Sequence, residues 1–530
     1  MAIGSFLRNR LMPDSREAEI YRYFKQMHRP TLPSADVVLV QCVEDLYYLG
    51  VFGRIISSLR AQRPIRAEQF VLRSLRVGES RSLLGFITFR LFINRLAGNK
   101  WVGLYNSFCD GVGYRSTGLC FLVGDVIDLW RSFACWRNLS DKTKLTSLVI
   151  ADIPVGDLIN DSFLRFKPAP TVDIGDVYLL AVIWQAYRDI RRAKDYFSRV
   201  RPLLYLTSYT TYVQHGIAVR VALQCGVQVF SFSNFQQFAK PLSVKDWVHT
   251  SNPDGYADEF LLLGNSDQKL AEAEEALSAR MTGGIDSATA YMKKSAYAES
   301  SDPVPDVRGS VVIFLHDFFD SPHVYRGLVF PDFLEWICFT IEILGKSDIR
   351  FFIKPHPNQI ELNDVVLKEL KQRYPGISII SSNITNKQLA DAGLACAVTV
   401  YGTVAHEMAY LGVPSIACAH HPHVSFDFCK TAKNKTEYAE ALLRSAYIDF
   451  DRLEMHRQSL IFYYMHNVNL SAEEKFLRES ASKFRASCQR PFTKNQELSE
   501  LLEYISGLPG FEAYISKLLA GFQPQKCTRG

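Results

Sequence analysis

Short apolar runs alternate along this chain with stretches whose apolar residues recur every three or four positions. Residues 36–43 are almost continuously aliphatic, the mark of a strand buried on both faces, and 46–59 carry a helical apolar stripe. The pair reads as a βα unit. Further strands are predicted at 69–75, 100–105, 145–151, 202–207 and 227–232, with a helix over 177–193. The stretch 251–308 changes character. A polar helix at 268–280 gives way there to Gly283, Gly284, Ser300, Ser301, Pro303 and Pro305, as interdomain connections do. A second alternation follows, with apolar runs at 310–315, 336–344, 351–353, 365–374, 377–380, 395–400, 404–411 and 415–419, before helices take over near Lys435.

Strands alternating with helices predict parallel sheets covered on both faces. The expected fold class is α/β, with two doubly wound Rossmann-like domains facing one another across a cleft and helices added at both termini. The expected boundaries are a leader and helix at 1–34, a first domain at 35–245, a connection at 246–308, a second domain at 309–480 and terminal helices at 481–530. A chain of 530 residues is too long for one core, which agrees with two domains.

Composition narrows the class without choosing a function. Hydrophobic residues at 48% and charged residues at 22% are ordinary for a folded protein. The net charge of +5 is spread over 60 basic and 55 acidic residues with no basic stripe, so nucleic acid is not an expected partner. Eleven cysteines lie scattered without paired spacing, which fits a reducing compartment. Met1 to Leu7 run straight into Arg8 and Arg10 without a signal-peptide core, and the longest apolar run falls well short of the ~20 residues of a membrane span. A cytoplasmic location is expected, with peripheral attachment to the inner face of the membrane left open.

The candidate chemistry sits at strand ends, the edge at which open α/β sheets bind ligands. Lys354-Pro355-His356-Pro357 follows a strand, and the two prolines hold this stretch extended, so that Lys354 and His356 project beyond the sheet. An imidazole there can bond or protonate a phosphate oxygen; a loop that merely ends the strand is the alternative. Gly402-Thr403 opens a short helix that carries Glu407 and ends at Gly412. Its amino end suits an anion, with Thr403 on phosphate and Glu407 on ribose hydroxyls, although Thr403 is equally an ordinary helix cap. His316 follows the first strand of the second domain and is a further phosphate or sugar contact.

Together these elements resemble GT-B glycosyltransferases, and more narrowly the bacterial capsule and lipopolysaccharide transferases that use CMP-activated acidic sugars, the sialyltransferase-like and Kdo-transferase-like groups with an HP motif. The resemblance implies transfer of a sugar from a nucleotide donor to a hydroxyl of a surface polysaccharide, with the CMP phosphate at His356 and a following Ser/Thr turn assisting. It also implies an Asp-Gly base in the first domain. Cys109-Asp110-Gly111 is similar, but a cysteine stands where those groups have a carboxylate. Asp110 is therefore the expected catalytic base, with a plain Asp-Gly turn as the alternative.

Asp157 and Arg165, in a Gly-Asp-Leu-Ile segment, and His215 before Gly216 are candidate acceptor ligands; capping by Asp157 and a structural role for His215 are the plainer accounts. No metal and no cofactor beyond the donor substrate are expected, since the histidines around His316 and His420 lack ligand spacing and no DxD ends an early strand. Dehydrogenase, P-loop and α/β-hydrolase motifs are absent. CDP-polyol phosphotransfer, UDP-sugar epimerisation and a non-catalytic scaffold in a polysaccharide assembly complex remain as alternatives.

Overall fold

The computed structural model describes residues 11–28, 35–71, 99–115, 123–232, 238–250, 254–283, 297, 301–357, 359–489 and 497–520. The first sheet begins with β1 (Asp36–Cys42), β2 (Ile65–Val71) and β3 (Gly111–Arg115). A small antiparallel hairpin of β4 (Val149–Ile150) and β5 (Ile153–Pro154) stands apart, and β6 (Leu204–Thr207), β7 (Gln228–Ser231) and β8 (Lys240–Leu242) complete the sheet. The strand order is β3-β2-β1-β6-β7-β8, parallel except for β8 against β7. β1 is central, and every residue after Asp36 is buried, Val37 to Val40 as an aliphatic run and Gln41 with its side chain hydrogen-bonded.

Two expected strands take other forms. The run at 100–105 lies in the helix Asn99–Tyr105, which turns Leu104 and Tyr105 into the same core as Phe24 and Phe52. A short apolar run carries no period that separates strand from helix. The run at 145–151 splits into the helix Lys142–Thr146, capped by Asp141, and β4, because Ala151 and Asp152 take left-handed backbone and turn the chain back into β5.

The second sheet contains β9 (Val311–Phe314), β10 (Phe351–Lys354), β11 (Cys396–Val398), β12 (Ser415–Ala417) and β13 (Cys429–Thr431), in the order β10-β9-β11-β12-β13 and parallel throughout. The expected strand at 377–380 contributes only an isolated bridge from Ile379 to Ile353. Helices Tyr256–Leu262 and Ser266–Met281 pack with Arg452–Tyr463 in one apolar cluster around Phe462. The fold is thus α/β with two doubly wound sheets. In each, chain order reverses once, between β1 and β6 and between β9 and β11.

The last helices return to the first sheet. Leu477 and Phe484 of Ala472–Gln489, Leu502 of Glu497–Gly507 and Phe511 of Pro509–Ala520 share a core with Ile20, Tyr48 and Val38. No helix among the described residues is long and apolar enough to cross a membrane.

Candidate functional site

The reversal between β9 and β11 opens a crevice at the carboxyl edge of the second sheet, where neighbouring loops leave in opposite directions. His316, two residues beyond β9, and Thr399, one beyond β11, meet there with Nε2 and Oγ1 3.1 Å apart. Thr399 Oγ1 also accepts from the Gly402 amide at 3.2 Å. A Cβ on Gly402 would stand 2.9 Å from that oxygen, so the turn takes its close path only with glycine. The His316 ring stacks on Phe333 with centroids 4.8 Å apart and planes 10° from parallel, and Tyr401 lies at 4.8 Å on another side. Burial, with a smaller contribution from the charge of His356, depresses the imidazole to about 3, so His316 is neutral.

Lys354 ends β10 beside Phe314 of β9, and its backbone oxygen accepts from the Leu315 amide. It is only 5% exposed, and among the described residues no hydrogen bond or ion pair engages its ammonium, which stands 5.7 Å over the Phe314 ring. Burial lowers its pKa to about 8, with the field of Glu407 opposing. A buried cation left unpaired is costly unless an anion completes it. His356, half-buried two residues on, is lowered by burial and by the charge of Lys354, with Asp317 opposing. It therefore enters as a neutral hydrogen-bonding imidazole rather than a standing cation.

The helix Val404–Tyr410 forms as the pattern predicts, but its two candidate residues are neither a side-chain cap nor a free carboxylate. Thr403 is exposed, takes helical backbone angles and makes no capping bond. Glu407 is buried and fully engaged: Oε1 accepts from Arg280 at 2.9 Å and Tyr297 at 2.6 Å, and Oε2 accepts from Asn386 at 2.7 Å. Its carboxylate ties the helix Ser266–Met281, through Arg280, to the helix Val404–Tyr410, and both its oxygens are engaged in protein contacts.

The first sheet presents its own reversal point. Gln41 of β1 accepts from the amide of Ser208, beyond β6, at 3.0 Å. The chain then passes Tyr212, whose φ of 64° and ψ of 153° store roughly 1–3 kcal/mol of strain. The Tyr212 phenol reaches Ser321 and the field of Asp320, on the loop that leaves β9, so loops from the carboxyl edges of both sheets meet. His215 lies on the next turn, half-buried, with Tyr209 and Tyr212 about its ring. Arg165 is exposed, near enough to Asp320 and Tyr212 to act on both electrostatically.

Asp157 begins the helix Gly156–Phe166 and accepts from Arg220 Nη1 at 2.8 Å. Burial pushes the Asp157 carboxyl up, but the charge and hydrogen bonds of Arg220 outweigh it and hold the group below its usual range. One helical turn on, Asp161 crosses to the other sheet: its Oδ1 is 2.6 Å from Nδ1 of His323, and its Oδ2 accepts from the His323 amide at 3.3 Å. Burial raises Asp161, opposed by His323. Burial would lower His323, yet Asp161, with Asp157 and Asp332 behind it, raises the imidazole. Among the described residues its Nε2 has no hydrogen bond. No local spacing in the sequence pairs these two residues, although both lie in segments rich in Asp and His.

Around this contact Asn160 donates to the Pro331 carbonyl, Thr171 to Asp332 and Thr250 to the Val324 carbonyl, and the Arg220 and Arg326 guanidiniums stack on Trp247 at 4.9 and 4.5 Å. These bonds set the two carboxyl edges against each other.

Asp110 lies elsewhere. It precedes β3, opposite Ala67 near the start of β2, at the amino edge of the first sheet. Its Oδ2 accepts from Arg60 at 2.6 Å and from the Ala67 amide at 2.8 Å. The strand follows this aspartate instead of preceding it, because 99–105 is helical; the expected catalytic base is an anchor of the sheet. Cys109 beside it is buried, which pushes its thiol up.

Among the described residues no three His, Cys, Asp or Glu side chains are grouped to hold a metal ion. No family model matches the chain, and no curated protein matches it. Among solved structures it is similar to the β-Kdo 2,4-transferase KpsC of Thermosulfurimonas dismutans, at 13% identity over 49% of this chain and 79% of that one, with a TM-score of 0.30. It is also similar to UDP-GlcNAc 2-epimerase from Neisseria meningitidis bound to UDP-GlcNAc, at 10% identity over 80% and 97% with a TM-score of 0.21. A third likeness is to the spinosyn rhamnosyltransferase SpnG complexed with spinosyn aglycone, at 9% identity over 91% and 99% with a TM-score of 0.21. Superpositions of this size carry no argument about the site, whose chemistry is set by the chain's own residues.

Proposed function

We propose that the chain is a GT-B-type glycosyltransferase that binds the phosphate of a nucleotide-activated sugar at the carboxyl edge of the second sheet and passes the sugar to a hydroxyl held against the first. The observation that carries this reading is Lys354 at the carboxyl end of β10, 5% exposed and with no hydrogen bond or ion pair at its ammonium among the described residues, its charge acting on His356. Its charge offsets that of the donor phosphate as the bond to the anomeric carbon breaks and the phosphate keeps the electron pair. His356, neutral, donates a hydrogen bond to the same group.

On the opposite side His323, oriented through Nδ1 by Asp161, takes the acceptor proton at Nε2 while the acceptor oxygen bonds to the anomeric carbon. Asp157, Arg165 and His215 remain candidate contacts for the acceptor glycan. Preference for a CMP-linked acidic sugar and a surface polysaccharide acceptor rests on the HP-motif resemblance alone.

The test is a thermal-shift series with CMP, CDP, UDP and GDP on the native chain and on Lys354→Met, since a ligand that binds only the folded state raises its stability. A shift with one nucleotide that the variant loses supports the reading. No shift with any of them, or an equal shift in the variant, overturns it.

A further inference from the structure

The helix Val123–Arg137 is built inside out. Its buried residues are Asp125, Asp128 and Ser132. Arginines of the helix Val177–Val200 grip that face: Arg188 and Arg192 reach Asp125 at 3.2 and 3.1 Å, and Arg191 Nε reaches Asp128 at 2.7 Å. Trp184 Nε1 donates to the Asp125 carbonyl at 2.9 Å. These bonds fix the rotation of the helix about its axis.

The stripe at i, i+3, i+4 and i+7, which an ordinary surface helix turns to the core, therefore faces outward. Val123 is 80% exposed, Val126 59%, Ile127 48%, Trp130 78% and Phe133 49%. A contiguous apolar face on a helix held by its polar side marks a docking surface.

The charges select the occupant. Both acids of this helix are buried, and its exposed charged side chains are Arg131 and Arg137. Two copies of the face apposed about a twofold axis would bring arginine toward arginine with no acid from the helix to pair them. Apolar side chains with a tryptophan, on a helix whose own exposed charges are all cations, match the headgroup and acyl boundary of an anionic bilayer.

We propose that the Val123–Arg137 helix seats this protein on an anionic membrane surface, with Trp130 and Phe133 entering the boundary and Arg131 and Arg137 meeting lipid phosphates. The surface lies outside the nucleotide crevice, and the proposal does not depend on the sugar transferred.

The experiment is co-sedimentation of the full chain with vesicles of phosphatidylcholine alone and of phosphatidylcholine with phosphatidylglycerol, at low and high salt. The native chain should sediment with the anionic vesicles and be released by salt. Trp130→Ser with Phe133→Ser should weaken binding by about tenfold or more, and Arg131→Gln with Arg137→Gln should abolish the preference for anionic lipid. Both variants should keep the native melting temperature, since the replaced side chains are exposed. Failure of the native chain to bind anionic vesicles, equal binding by the serine variant, or a native dimer that the serine variant splits would overturn the proposal.

Discussion

Asp161 Oδ1 lies 2.6 Å from His323 Nδ1, and this bond joins a helix of the first unit to the loop leaving β9 in the second. Burial disfavours the imidazolium, but Asp161, Asp157 and Asp332 outweigh it, so His323 binds its proton more tightly in the fold than at its ordinary value of 6.5. The stability gained is full below that value and is lost as pH rises through the raised folded one. Melting temperature measured against pH should fall across that window in the native chain and flatten in Asp161→Asn. Curves of equal slope would show that the pair does not titrate.

Lys354 should control ligand affinity and apo stability with opposite dependences on its proton. Because burial holds it near 8, anionic nucleotide binding should weaken as pH rises through about 8. The same depressed value makes the apo fold gain stability between about 8 and the ordinary lysine range, since the unfolded chain there still binds the proton. Lys354→Met should bind no nucleotide yet melt at or above the native temperature, as removing an uncompensated buried charge relieves the fold. Calorimetric titration at stepped pH reads the first effect and a melting curve the second.

Glu407→Ala should act on stability before it acts on any substrate. It would leave the Arg280 guanidinium buried without its carboxylate and release Tyr297 and Asn386 as well. A loss of about 3–5 kcal/mol is expected in chemical denaturation. Glu407→Gln keeps hydrogen-bond acceptance and should lose less; a stable alanine variant with impaired ribose binding would restore the donor-site role.

Asp110→Asn separates the sheet anchor from a base. Weakening the Arg60 contact should cost on the order of 1–3 kcal/mol, with sugar transfer unchanged per folded molecule, because the residue stands at the amino edge. A folded variant without turnover would return Asp110 to the chemistry.

Gly402→Ala should disturb the His316 and Thr399 contact, since its methyl group would stand 2.9 Å from Thr399 Oγ1. Overpacking of this kind costs typically about 1–3 kcal/mol. Nucleotide affinity should drop more than stability, which paired titration and melting measurements can separate.

The fold was legible where both faces of a strand are buried, because β1, β6, β9 and β11 then read as mostly apolar runs without polar alternation. β3 escaped because Gly-Val-Gly-Tyr-Arg has too few apolar residues for any period, and its neighbour 99–105 carried the apolar signal into a helix. Lys354 and His316 could be placed at strand ends from local pattern alone. The partners of Asp161 and Glu407 could not, since His323 lies 162 residues from the one and Arg280 lies 127 from the other, beyond any spacing rule. Asp110 was misplaced for a local reason: an Asp-Gly pair looks the same before a strand as after one.

The return of the closing helices to the first sheet sets an order of assembly. Phe484 and Leu502 fill the groove over Gly50, where a single added Cβ would meet the Phe484 ring at 2.4 Å, and Tyr514 bonds the Ala239 carbonyl. A nascent chain builds from its amino end, and domains generally fold as they emerge. Here the first unit leaves synthesis with that groove open, and its core can close only after the whole second unit has been made. Its maturation is therefore tied to completion of the chain through residue 514, so a chain interrupted within the second sheet would expose the unfilled face of the helix Leu46–Gln62.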